Sequence, residues 1–280
     1  EIWSEPVPVA GASPAWERFV FTPKPRPDRE SVQAAITRLR DARRPLILAG
    51  NGVNLARARA QLAAFAERTG IPVATTASGK GAFPDTSELS VGVQGWVGSE
   101  TANTATRNAD VILVLGARLA ETTASSWTDG ATFSPSSQAL IQADIDVAGV
   151  ANAYPVEIAL IGDLGSTLDD LLDAVGDGTG FGAVEWIADL QATRERWEDT
   201  VRGSQGSGEP GAIRTGAVVA ALRRAYPGPI NLVNDCGKHH KWILQQLPTV
   251  EDDYIVSSMG GASMGIGLAG AIGAHLARPE

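Results

Sequence analysis

The chain has 280 residues, 44% of them hydrophobic, with 31 glycines, a single cysteine and a formal net charge of −9. That length and apolar content support one large or two ordinary domains with real cores. The acidic balance excludes a protein that grips a nucleic-acid backbone over a broad basic face, and a lone Cys236 excludes an internal disulfide and fits a reducing, cytoplasmic setting.

Pro6, Pro8, Pro14, Pro23, Pro25 and Pro27 favour an extended connector, so residues 1–28 read as a linker. This stretch has neither a basic n-region nor an apolar h-region, so no secretion signal is read in it. From Asp28, the spacing of Val32, Ile36 and Leu39 predicts an amphipathic helix, followed by an apolar strand over 46–49. Gly50-Asn51-Gly52-Val53 then turns the chain into an Ala-rich helix ending at Thr69-Gly70, and residues 71–74 supply the next strand. A short helix is predicted over 101–109, a buried strand over 110–115 closed by Gly116, further strands over 139–144 and 155–161, and a helix over 166–175. Strands alternating with helices imply an α/β fold with a doubly wound, mostly parallel sheet: a Rossmann-like central domain over 29–175. Ligands of such sheets bind beyond the strands' C-terminal ends, where Gly50, Gly52 and Gly116 fall. Ordinary strand-to-helix turning accounts for those glycines equally well.

Residues 176–182 are glycine-rich, 184–202 predict a solvated helix that buries Trp186, Leu190 and Trp197, and 203–208 read as flexible. Residues 176–209 are therefore taken as a helical and Gly/Ser-rich linker. A second, partial α/β domain over 210–280 opens with a helix at 215–225, a Pro-Gly-Pro turn and a strand at 230–234. No repeat of fixed period is present.

Two stretches of this second unit can carry chemistry. Asp235-Cys236-Gly237-Lys238-His239-His240-Lys241-Trp242 places two imidazoles and two ammonium groups after a strand, a local anion site in an acidic chain. A pair of surface histidines explains His239-His240 as readily, and a metal site is not read, because adjacent side chains diverge and no third His or second Cys is near. Cys236 has no partner identifiable from spacing and reads as a small buried residue. The other stretch, residues 258–274, sets glycines before a helix, where a ligand can approach the main chain and the helix N-terminus offers N–H groups to a diphosphate. Gly267, Gly270 and Gly273 leave one helix face bare, which predicts tight packing on another element. Residues 255–277 carry no Asp, Glu, Lys or Arg, which a membrane span would explain; the preponderance of Gly, Ala and Ser speaks against it. A glycine-rich helix simply buried in a core is the other plain account.

Both stretches, with Ala277-Arg278-Pro279, resemble the start of the diphosphate-binding domain of thiamine-diphosphate enzymes, in particular acetolactate synthases and related 2-oxoacid lyases. Gly79-Lys80-Gly81-Ala82-Phe83-Pro84, residues 109–118, Asp144-Ile145-Asp146 and Ile161-Gly162-Asp163 resemble that family's central domain, in the family's order. The resemblance implies that Gly237, Lys238 and His239 sit at the diphosphate, Lys238 standing where the family commonly has glutamine. It implies that Ala262, Ser263, Met264 and Gly265 line the cofactor, Ala262 through its carbonyl to the aminopyrimidine and Met264 beneath the bent rings. It further implies thiamine diphosphate with Mg²⁺, a carbanion at thiazolium C2 that attacks a 2-oxoacid such as pyruvate, transferase or lyase activity, and a homodimer or homotetramer.

Both ends look cut from a longer protein. The activating glutamate is expected in an N-terminal domain before residue 1 and the metal ligands, a Gly-Asp-Gly and a later Asn, after Glu280. No catalytic or metal residue is therefore expected in the chain, which alone is expected to be inactive. Some relatives hold FAD in the central domain, which here implies Gly50, Gly52, Gly116, Arg118, Asp144, Asp146 and Asp163. Gln94 replaces the usual His, and Ala120-Glu121-Thr122 an acidic, Arg-containing stretch, so weak FAD binding at best is expected. The rival reading is a Rossmann-type module that binds FAD or NAD without carboligation. Neither nucleic acid nor membrane is expected as a partner.

Overall fold

The computed structural model describes residues 23–176, 178, 180–181, 183–205, 212–257, 259 and 263–278. Most of the linker read over 1–28, the stretch 206–209 and the cofactor position Ala262 lie outside the described residues.

The first unit runs α1 (Arg29–Arg40), β1 (Pro45–Ala49), α2 (Asn51–Leu55), α3 (Arg59–Thr69), β2 (Val73–Thr75), β3 (Ser90–Val93), α4 (Glu100–Asn108), β4 (Val111–Leu115), β5 (Ala139–Asp144), β6 (Ile158–Ile161) and α5 (Leu164–Val175). Asp28 starts α1 by accepting the Ser31 N–H at 2.9 Å, and the helix buries Val32, Ala35, Ile36 and Leu39, the face its spacing predicts. The six strands form one all-parallel sheet in the order β3-β2-β1-β4-β5-β6. Ile47, Leu113 and Ile141 pack on one face with Ile36, Leu62, Phe65 and Leu168, which belong to α1, α3 and α5. Leu46, Leu48, Ile112 and Val114 pack on the other, against Ala102 and Ala105 of α4. With both faces covered, β1 and β4 are buried along their whole length and read as unbroken apolar runs.

Several boundaries differ from the sequence reading. The Ala-rich helix expected up to Thr69 is broken: α2 ends at Leu55, Arg57 adopts φ 54°, and α3 restarts after Ala58. The break delivers Arg59, whose guanidinium donates to Asn54 Oδ1 and to Asp253 O, each at 2.7 Å. Strand β2 begins at Val73 rather than at 71, and β6 at Ile158 rather than 155, where Pro155 has no N–H to give a ladder. The edge strand β3 was not predicted at all: it is four residues long, contains Gly92 at φ 87°, and its register with β2 shifts between Val73 and Ala74.

The chain continues through α6 (Val184–Gln205), α7 (Thr215–Ala225), β7 (Asn231–Asn234), α8 (Lys238–Gln246), β8 (Tyr254–Ser257) and α9 (Ile266–Ala277). Residues 203–205, read as flexible, form the last turn of α6, and Trp197 is only half-buried. Trp186 and Leu190 join the α4 side of the core, and the Trp186 indole N–H donates to Pro45 O at 3.1 Å. The Arg194 guanidinium donates to the carbonyls of Asp85 and Ser87 at 2.9 Å and of Ser90 at 3.1 Å, which holds the loop leading into β3. Strands β7 and β8 pair in parallel. Helix α9 lies on β7 through its glycines: a Cβ on Gly270 would come within 2.8 Å of Val233 Cγ1 and one on Gly267 within 2.9 Å of Asp235 Oδ2, whereas Gly273 faces open space. The bare face thus packs over two of its three glycines. No helix among the described residues is long and apolar enough to cross a membrane.

Candidate functional site

The chain leaves β1 and β4, neighbours in the sheet, toward opposite sides, which creates a topological switch point at their C-terminal ends. Gly50, Gly52 and Gly116 meet there. The Gly50 N–H donates to Leu115 O at 2.8 Å, the Gly52 N–H to Gly116 O at 3.1 Å and the Gly116 N–H to Ala143 O at 2.9 Å. A Cβ on Gly50 would fall 2.2 Å from Gly116 O, so the two turns touch main chain to main chain. The three N–H groups are committed and the turns are in contact, so these residues as arranged do not fit the phosphates of a dinucleotide.

The acidic residues read with them serve local turns. Asp144 Oδ1 accepts the Asp146 N–H at 3.0 Å, Asp146 Oδ1 the Ala148 N–H at 3.0 Å, and Asp163 Oδ1 the Ser166 N–H at 3.1 Å as the cap of α5. Arg118 is exposed, its stem over Gly149. Gln94 follows β3 and is buried, and its amide finds no hydrogen-bond partner among the described residues.

A second pair of strand ends lies at β7 and β8. Gly237, at φ 146°, opens α8, and the His239 ring folds back to 2.8 Å from where a Gly237 Cβ would sit. Lys238 and His239 are exposed cations or donors, while His240 is half-buried, its pKa lowered by burial first and then by His239. The Asp235 carboxylate, just upstream, accepts the N–H of Cys236 at 2.7 Å, of Gly265 at 3.0 Å and of Gly267 at 3.1 Å. The Cys236 N–H is the main reason its pKa is lowered. Partial desolvation opposes it, and Gly267, Gly265 and the charge of His239 add to the lowering.

Asp235 thus clasps the Gly237–His239 loop to the turn of Ser263, Met264 and Gly265. It also corrects one expectation: the N–H groups of Gly265 and Gly267, read as open to an anion, are already taken. Met264 is 87% exposed on the Gly265 turn, which has φ 93°. Beneath the two loops, Asn234 and Ser257 pair across the strands with side-chain atoms that are buried and unpartnered among the described residues. Exposed Lys238 and His239, which follow this strand end, supply donors that fit an anionic group.

The position of these loops relative to the large sheet is set by a buried clasp. Lys80 Nζ pairs with Asp85 Oδ2 at 2.9 Å, and the same oxygen accepts the Thr249 N–H at 2.9 Å and the Thr249 hydroxyl at 3.0 Å. The Asp85 N–H returns a bond to Thr249 O at 2.9 Å. Desolvation is the largest influence on Asp85 and raises its pKa, but the charge and hydrogen bond of Lys80, with Thr249, outweigh it and leave the carboxyl below its ordinary value.

Fold and loops together define a doubly wound α/β domain followed by a second parallel pair of strands, β7 and β8, whose end loops are joined through Asp235. The family model "Thiamine pyrophosphate enzyme, central domain" matches residues 32–171, and the chain belongs to that thiamine pyrophosphate enzyme family. It is 32% identical over 259 residues to the acetolactate synthase large subunit of Parasynechococcus marenigrum, covering 92% of this chain and 40% of that protein. It is 30% identical over 251 residues to the large subunit of Lactococcus lactis, covering 90% and 42%. With the acetolactate synthase of Mycobacterium leprae the identity is 28% over 263 residues, covering 93% and 41%. The chain spans about two fifths of the length of these curated relatives. The family resemblance carried by the motifs is therefore shown.

Proposed function

We propose that the chain supplies the central domain (29–175), a connecting segment (176–209) and the start of the diphosphate-binding domain (210–280) of a thiamine-diphosphate-dependent 2-oxoacid transferase or lyase of the acetolactate synthase kind. The observation that carries this reading is the clasp of Gly237, Lys238 and His239 to Ser263, Met264 and Gly265 at the ends of β7 and β8, in a chain of this family. Relatives named acetolactate synthase over nine tenths of the chain support it.

On this reading Lys238 and His239 hold the diphosphate by charge-assisted hydrogen bonds. Ala262 offers its carbonyl to the aminopyrimidine, and Met264 projects an apolar side chain toward the rings. When bound, the cofactor supplies an electron sink for the bond beside the 2-oxo group of a substrate such as pyruvate. The chain's own contribution is positional: Asp235 keeps α8 and α9 in register, and Lys80 with Asp85 fixes both to the central sheet. The activating glutamate and the Mg²⁺ ligands belong, on this reading, to other parts of the full-length protein, a cytoplasmic homodimer or homotetramer.

Given thiamine diphosphate and Mg²⁺, the full-length protein is expected to consume pyruvate and form acetolactate, and the 280-residue chain alone to form none. Loss of the cofactor requirement, or tight NAD or FAD binding with no carboligation, would overturn the proposal.

A separate expectation concerns the flavin. Because the Gly50–Gly116 contact closes the switch point, the full-length protein should purify without visible flavin absorbance. A stoichiometric yellow complex would mean that this contact opens to admit FAD.

A further inference from the structure

We infer that the cleft enclosed by α6, α7, α8 and the edge strand β3 is a binding site for a small organic monoanion with an apolar body, a carboxylate attached to a flat hydrocarbon group. The cavity measures about 370 Å³, within the range of small-molecule sites. Its lining carries five basic side chains, Lys80, Arg194, Arg202, Arg223 and Arg224, against two acidic ones, Asp85 and Glu198.

Most of these charges are spoken for. Lys80 pairs with Asp85, Arg194 with Glu198, Arg202 with Glu198 and Asp199, and Arg223 with the buried Asp253 behind the wall. Arg224 is exposed and makes no ion pair among the described residues, so the surplus in the cleft is positive within a chain of net charge −9. Two more donors lack an acceptor. The Arg223 Nε–H and the Thr101 hydroxyl both belong to lining residues, both atoms are buried, and neither has a hydrogen-bond partner among the described residues. Thr101 is only 1% exposed.

A buried donor without an acceptor is a standing cost, which an incoming oxygen relieves. Water can satisfy such a group but leaves the positive surplus of the cleft unneutralised, so an anion suits the cleft better. The rest of the lining mixes polar side chains, among them Ser99, Gln205 and Gln245, with an apolar group of Val93, Val201, Leu244 and Trp197. Inorganic phosphate would leave that apolar group wet, whereas a carboxylate on an aromatic or branched body covers it.

The test titrates the full-length protein calorimetrically with 2-naphthoate, and with the neutral 2-naphthamide of the same shape. The acid is expected to bind once per chain and at least about tenfold more tightly than the amide, the size of one charge-assisted hydrogen bond. Arg224→Gln, at an exposed helix position, is expected to erase that preference. Ala220→Trp fills the cleft and is expected to abolish binding with the circular-dichroism spectrum retained. Equal affinity for acid and amide, a preference that survives Arg224→Gln, or no binding to the wild type would each overturn the assignment. So would undiminished binding to folded Ala220→Trp, since the probe would then sit elsewhere, as on the exposed Leu268, Ile272 and Leu276 of α9.

Discussion

Gly116→Ala is expected to destabilise the protein by about 2–5 kcal/mol, measured by equilibrium urea unfolding. Two effects add. At φ 59°, an alanine takes up a left-handed conformation at a cost of about 1–2 kcal/mol. Its Cβ would also lie 2.6 Å from both Gly52 Cα and Leu164 Cδ1, and one of those neighbours is main chain that cannot swing aside. Gly130→Ala separates the two effects, because Gly130 has φ 74° but nothing within 4 Å of the added Cβ. It should show the conformational cost alone. Similar losses for both variants would mean that the contact between the β1 and β4 turns is soft.

The other large effect is expected at the clasp. Asp85→Ala leaves Lys80, whose side chain is 3% exposed, without its counter-charge, and also strips Thr249 of two hydrogen bonds. Removing one partner of a buried pair costs about 3–5 kcal/mol. Because Asp85 titrates below its ordinary value near 3.8 when folded, its stabilisation is complete above that pH and is lost as pH falls through the folded-state pKa. Wild-type protein should therefore lose stability on acidification below about pH 3.8 more steeply than Asp85→Asn. Parallel pH profiles would show that the pair contributes little, and that Thr249 is held by its other contacts.

What could be read from the residues was whatever has a local or periodic cause. The unbroken runs of β1 and β4 follow from burial on both faces, and the α1 stripe from one-sided burial. What escaped had distant causes. The Asp85–Thr249 clasp joins residues 164 positions apart, and nothing near Asp85 announces it. Strand β3 hid because its glycine and short length match a loop as well as an edge. At the strand-end loops, the position of Lys238 and His239 was legible as charge after a strand. Asp235 was not, because a carboxylate beside two cationic residues reads as their counter-ion until Gly265 and Gly267 fold onto it.

The strand order has a consequence for synthesis. Strand β1 needs β2 on one side and β4 on the other, yet β2 and β3 leave the ribosome well before β4. Until Val111–Leu115 emerges, the innermost strand of the mature sheet is an outer one, with an unpaired row of N–H and C=O groups along Pro45–Ala49. At about 5–20 residues per second, that open edge persists on the order of seconds. It presents a flat, wholly apolar strand to neighbouring nascent chains on the same polysome, so the interval between β3 and β4 is when this protein is most exposed to misassembly.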